Sequence, residues 1–146
     1  MKLFVINGPN INFLGIREKE LYGTNTYSAL VKELEDYALS KKIEIEIYQS
    51  NHEGDLIDKI QEAYYKGIDG IIINAGGYTH TSISIMDALK AVSIKTVEVH
   101  LTDIEKREDY RKVSYISNVA VKTFKGKGFA SYIDAIDYFI SNEHTN

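Results

Sequence analysis

The stretch Ile71-Ile72-Ile73-Asn74-Ala75-Gly76-Gly77-Tyr78-Thr79-His80 decides the fold once it is read together with the helical spacing of residues 82–91 and the run Thr96-Val97-Glu98-Val99. A short β-branched run, a polar turn, an amphipathic segment and a second β-rich run make one strand-helix-strand unit, which joins parallel strands through a crossover helix. The same alternation continues outward. Residues 3–6 and 43–48 read as strands before this unit and residues 119–123 as a strand after it. Residues 27–40, 55–66, 104–113 and 129–141 carry apolar groups spaced for one helix face. The expectation is an α/β three-layer sandwich of flavodoxin-like type, with a five-stranded parallel sheet in the order 2-1-3-4-5.

Composition narrows the classes of function. A chain of 146 residues that is 44% hydrophobic has the size of one domain with a real core, so residues 1–146 read as a single domain with a frayed tail over 143–146. The absence of cysteine excludes disulfides, thiolate nucleophiles and zinc knuckles. A net charge of −4 argues against a nucleic-acid binder, whose footprint is a basic patch, and favours a small-molecule partner. Residues 1–8 hold too short an apolar run for a signal peptide or a membrane span, which fits a cytoplasmic protein. The four histidines, His52, His80, His100 and His144, show no close paired spacing, so no metal is expected.

In an open parallel sheet the ligand lies outside the carboxyl ends of the strands. The residues at those ends are markedly polar: Asn7-Gly8-Pro9-Asn10-Ile11-Asn12, Gln49-Ser50-Asn51-His52-Glu53, Asn74 to His80, and His100-Leu101-Thr102. Amides, hydroxyls and imidazoles in those places can orient a hydroxylated ligand, although loop ends are also polar because they face water. Arginine is scarce, three against fourteen lysines, and two of the three, Arg107 and Arg111, fall one turn apart on the expected fourth helix. A guanidinium fork suits an oriented oxyanion contact. Pairing with Glu105, Glu108 or Asp109 on an ordinary charged face explains the same spacing, and spacing alone leaves both open.

Four ordered blocks carry a more specific signal. Asn7 to Glu18 with Tyr22-Gly23, Gln49 to Gly54 with Leu56-Ile57-Asp58, Ile73 to Ser82 with Asp87-Ala88-Leu89, and Glu98 to Thr102 with Arg107-Glu108 and Arg111 together resemble the type II dehydroquinases. The resemblance spans nearly the whole chain, and it departs from the family pattern at Lys19, Met86, Asp103 and Ser131. It implies a hydro-lyase without a cofactor, which removes water from 3-dehydroquinate by anti elimination through an enolate and gives 3-dehydroshikimate. The step serves either the shikimate route to aromatic compounds or quinate breakdown.

Residue roles are implied by that resemblance. Tyr22 is implied as the base that takes the proton beside the ketone; a phenol, with a pKa of ~10, needs help to act as one at neutral pH, and Arg17 and Arg107 are the cations to supply it. Asn10 would hold a water at the enolate oxygen, and His100, backed by Glu98 two residues earlier on the same strand face, would protonate the departing hydroxyl. Asn74 and the backbone N–H groups of Leu101 and Thr102, close to the start of the expected helix, would take the substrate carboxylate. Gly76 belongs to the same substrate-binding set. His80, Arg111 and Asp87 would bind hydroxyls, Asp87 reaching over from the neighbouring subunit of a trimer. Four such trimers would build a homododecamer. The runner-up is a flavodoxin-like nucleotide- or flavin-binding protein, but the first loop lacks a Ser/Thr/Gly-rich phosphate cradle.

Overall fold

The computed structural model describes residues 1–16, 20 and 25–143. Among them, β1 (Lys2–Asn7), β2 (Glu44–Gln49), β3 (Gly70–Asn74), β4 (Thr96–His100) and β5 (Lys122–Lys125) form one sheet in the order β2-β1-β3-β4-β5. Every strand pair is parallel, as the sequence predicts. Helices α1 (Tyr27–Ser40), α2 (Glu53–Tyr65), α3 (Ile83–Val92) and α4 (Phe129–Ser141) cover the two faces.

The period-two alternation of the central strands sorts their side chains between two cores. Leu3 and Val5 of β1, Ile72 of β3 and Val97 and Val99 of β4 pack against Leu30 and Leu34 of α1 and Tyr132, Ala135, Ile136 and Phe139 of α4. Phe4, Ile6, Ile71 and Ile73 face the other way, onto Leu56 and Ile60 of α2 and Ile85 and Leu89 of α3. Each fully buried Leu or Ile contributes roughly 1.5–3 kcal/mol. Hydroxyl caps start two of the helices: Thr26 Oγ1 accepts from Ala29 N at 3.1 Å, and Ser82 Oγ accepts from Ile85 N at 2.9 Å. The Ser82 hydroxyl also donates to Glu53 Oε2 at 2.6 Å, tying the start of α3 to the start of α2.

Two elements differ from the expectation. Residues 104–113 form no α-helix but two separate 3-10 turns, Ile104–Lys106 and Asp109–Arg111, with extended backbone at Arg107 between them. Only Ile104 of this segment is buried, while Tyr110 and Val113 lie in solvent, so a helix there would have no apolar face to bury. The last strand also begins later than residue 119, because residues 116–118 close a 3-10 turn that buries Ile116.

The first and third strand ends meet at very close range. Gly8 N donates to Asn74 O at 2.8 Å, and a Cβ on Gly8 would stand 2.2 Å from the Ala75 carbonyl oxygen. Opposite it, Gly76 has φ +62° and a Cβ there would meet Pro9 O at 3.0 Å. Both positions therefore need glycine, the second for conformation as well as space.

Candidate active site

Three of the polar strand ends line one open cleft. Pro9, Asn10 and Ile11 come from the turn after β1, Asn74, Gly76, Gly77 and His80 from the turn after β3, and His100, Leu101 and Thr102 from the end of β4, with Ile104, Arg107 and Arg111 beyond. The cleft holds about 610 Å³ of empty space, part of it open to solvent, which suits a small molecule. The loop after β2 braces this wall and does not line it. Gln49 Nε2 donates to Gly8 O at 3.1 Å, and Asn10 N donates to Asn51 Oδ1 at 3.0 Å. That second bond helps hold Asn10 in the left-handed conformation, φ 69°, that asparagine tolerates.

Glu98 and His100 alternate with Val97 and Val99, so they share one face of β4. His100 Nε2 lies 2.5 Å from Glu98 Oε2, and the two side chains are almost wholly buried. Three hydroxyls complete the shell of the carboxylate. Ser114 Oγ donates to Oε2 at 2.5 Å, and Ser117 Oγ and Thr123 Oγ1 donate to Oε1 at 2.5 and 3.0 Å. Burial pushes the Glu98 pKa up, but the hydrogen bond and charge of His100 and the Ser114 and Ser117 hydroxyls outweigh it and hold the carboxyl down at about 2. An ionised Glu98 can only accept, so the His100 proton sits on Nε2 and Nδ1 is the nitrogen left for chemistry.

His80 is oriented in the same way by the backbone. Its Nδ1 meets Val113 O at 2.7 Å, and since a carbonyl only accepts, Nδ1 carries the proton. Burial lowers the His80 pKa, with the neighbouring His100 and Arg111 adding to the effect, against smaller opposing pulls from the Val113 carbonyl and Glu98. A neutral His80 keeps a lone pair on Nε2. Arg107 and Arg111 both reach the cleft despite the missing helix, and both sit near Glu108, with Nε to Oε2 distances of 3.8 and 3.1 Å. Both arginines thus line the cleft and also lie beside an acidic neighbour, so the placement leaves the charged-face and the ligand-facing readings open. The loss of the helix matters at Leu101 and Thr102. A 3-10 turn of three residues has little macrodipole, so any anion held there depends on individual N–H groups.

Asp87 is exposed on α3 and lines a separate groove with Met86, Lys90 and Asn118; its own chain does not bring it to the cleft. Tyr22, Arg17 and the departure at Lys19 lie outside the described residues. The departures at Asp103 and Ser131 have local roles: Asp103 Oδ1 accepts from Glu105 N at 3.0 Å, and buried Ser131 accepts from Lys127 N at 3.1 Å. Among the described residues no group of three or more His, Asp or Glu side chains is placed to hold a metal ion.

Sequence reading missed four polar residues around the site, Thr123, Ser114, Ser117 and Tyr132, and gave Asn7 no role beyond a polar strand end. Thr123 pairs with Glu98 in the β4–β5 register, a signal available only once that register is known. Ser114 and Ser117 lie in an irregular segment with no periodicity to point them inward. Asn7 and Tyr132 are fully buried beneath the cleft: Tyr132 Oη donates to Asn7 Oδ1 at 2.6 Å and accepts from Asn74 Nδ2 at 2.9 Å. The Asn7 amide also opposes the upward push that burial gives the Tyr27 phenol, although Asn7 Nδ2 makes no well-formed hydrogen bond.

A doubly covered parallel sheet whose carboxyl edge gathers a carboxylate-held imidazole, a second oriented imidazole, two arginines and several amides defines an acid-base enzyme acting on small polar molecules. The chain belongs to the family described as Dehydroquinase class II, which matches residues 1–140. A 3-dehydroquinate dehydratase of Fusobacterium nucleatum subsp. nucleatum is 56% identical over 142 residues, covering 96% of this chain and 97% of that one. The 3-dehydroquinate dehydratase of Clostridium acetobutylicum is 52% identical over 93% of this chain and 94% of its own. The crystal structure of type II dehydroquinase from Butyrivibrio crossotus superposes with a TM-score of 0.95 at 54% identity, covering 96% of this chain and 97% of that one.

Proposed function

We propose that this chain is a 3-dehydroquinate dehydratase, a hydro-lyase that converts 3-dehydroquinate to 3-dehydroshikimate and water by anti elimination through an enolate. The observation that carries the reading is the buried Glu98–His100 pair at the wall of a cleft lined by Asn10, Asn74, His80, Arg107 and Arg111. The nucleotide- or flavin-binding alternative is not favoured by the family to which the chain belongs.

In this mechanism Tyr22, aided by Arg17 and Arg107, removes the proton beside the ketone. Negative charge then builds on the ketone oxygen, where a water held by Asn10 donates a hydrogen bond. The hydroxyl is a poor leaving group until protonated, and His100 delivers the proton from Nδ1 while Glu98 keeps Nε2 occupied. Glu98 stays an anion, so it orients and stabilises the imidazolium without exchanging protons itself. Asn74, with the backbone of Gly76, Leu101 and Thr102, takes the substrate carboxylate. His80 and Arg111 take hydroxyls, and the exposed Asp87 serves the cleft of a neighbouring subunit in a trimer, four of which form a dodecamer.

The reading extends to a single catalytic domain over residues 1–146 that works without a cofactor in the cytoplasm. Among the described residues no helix is long and apolar enough to cross a membrane. The test is a turnover assay of purified protein with 3-dehydroquinate, following formation of the conjugated enone. Turnover that disappears in His100→Ala is expected. A folded protein that leaves 3-dehydroquinate unchanged would refute the proposal.

A further inference from the structure

The buried hydrogen-bond chain beneath the cleft has a direction that one backbone group imposes. Gly76 N is an obligate donor, and it meets the Asn74 side chain at 3.2 Å, so the atom it meets is the carbonyl oxygen Oδ1. The other terminal atom of Asn74 is therefore Nδ2, and it donates to the oxygen of Tyr132 at 2.9 Å. With its oxygen occupied as an acceptor, the Tyr132 hydroxyl sends its own proton to Asn7 Oδ1 at 2.6 Å. Asn7 stands at the end of β1, Asn74 at the end of β3 in direct register with it, and Tyr132 on α4 reaches both from below the sheet. All three side chains are buried, with Tyr132 and Asn7 fully so.

This orientation decides what Asn74 can offer a ligand. Its Oδ1 is turned to Gly76 N and one Nδ2 proton to Tyr132, which leaves the second Nδ2 proton as the polar group for the cleft it lines. An amide free to flip would present a donor or an acceptor equally; this one presents a donor. From this geometry we infer that Tyr132 is a positioning residue, locking the Asn74 amide so that its subsite accepts an anionic oxygen such as a carboxylate. The inference rests on the reading of the cleft as the site of a keto acid. Burial raises the Tyr132 pKa, so the phenol stays neutral and acts as a hydrogen-bond relay and not as a base.

Tyr132→Phe keeps the ring that packs against α1 and the sheet and removes only the oxygen. The variant should bind 3-dehydroquinate about ten-fold more weakly, the effect of losing one oriented hydrogen bond, and should raise KM by a similar factor while kcat stays within about three-fold. The analogue in which a hydrogen replaces the carboxylate, which leaves no acceptor for the amide, should bind wild type and variant alike. Equal weakening for the acid and the analogue without its carboxylate, or a fall in kcat at constant KM, would overturn the positioning role. Failure of the wild-type protein to bind the acid at all would instead overturn the keto-acid reading, and the subsite assignment with it. A measurement on the wild type alone guards against a variant that does not fold. The Asn74 Nδ2 proton bonded to Tyr132 should exchange with solvent much more slowly than the one that faces the cleft, and equally rapid exchange of both would overturn the lock.

Discussion

Replacing Glu98 by glutamine tests the polar heart of the site through stability alone. The carboxylate accepts from His100, Ser114, Ser117 and Thr123; glutamine keeps one acceptor oxygen and turns an NH₂ group toward donors. The gap between the ordinary carboxyl value of 4.5 and about 2 in the folded protein, at about 1.4 kcal/mol per tenfold change in proton affinity, makes ionised Glu98 worth on the order of 3 kcal/mol to the fold. Its sign is that of a depressed acid. As pH falls the unfolded chain takes up the proton first, so the contribution is complete above about pH 4.5 and drains away toward pH 2. The wild-type advantage over Glu98→Gln should therefore shrink by about 0.7 kcal/mol between pH 5 and pH 4 and by about 1.8 kcal/mol between pH 5 and pH 3. Urea unfolding of both proteins at each pH, at one fixed protomer concentration, gives the difference directly. Every other carboxylate titrates alike in both proteins and cancels. A difference that stays constant between pH 5 and pH 3 would refute the account of Glu98 as a buried, ionised anchor.

His80 has a lowered pKa, so wild type should lose stability relative to His80→Asn as pH drops below its ordinary value of 6.5; parallel melting temperatures between pH 7.5 and 5.5 would contradict its neutral state. Tyr22→Phe should abolish turnover and leave equilibrium binding of 3-dehydroquinate largely intact, and near-normal turnover would remove Tyr22 from the role of base. Coexpression of Tyr22→Phe with Asp87→Ala should restore about a quarter of sites in randomly mixed trimers, because an intact Tyr22 and an intact Asp87 from different subunits then meet. Activity no higher than the average of the two variants, in particles verified as mixed, would return Asp87 to its own chain.

How much could be read from sequence depends on the range of the forces involved. The buried strands β1 and β3 announce themselves as apolar runs, because a parallel strand covered on both faces has no polar side to show. Helices α1 and α4 are legible because Leu30, Leu34 and Ala38, and Tyr132, Ala135, Ile136 and Phe139, repeat at the helical period and are buried. Residues 104–113 show the opposite case, a spacing that resembles a helix but has only Ile104 to bury. Nothing in the local pattern reports the missing partner. The cleft is legible as a set of polar strand ends because topology alone brings those ends together. Ser114, Ser117 and Tyr132 escape notice because their importance depends on contacts 16, 19 and 58 residues away in the chain.

The contact of Gly8 with the Ala75 carbonyl leaves no room for even a methyl group, and Gly76, at φ +62°, faces Pro9 O tightly, 3.0 Å from where a Cβ would stand. For anyone wishing to reshape this protein, the two halves of the cleft are thus unequal material. The floor, where the first and third strand ends are pressed together, tolerates no added atom without displacing main chain. The rim, formed by Thr102, Ile104 and the turns beyond, rests on side chains and short turns that can be exchanged singly. A search for altered ligand preference should spend its diversity on the rim and leave the seam between Gly8 and Gly76 untouched.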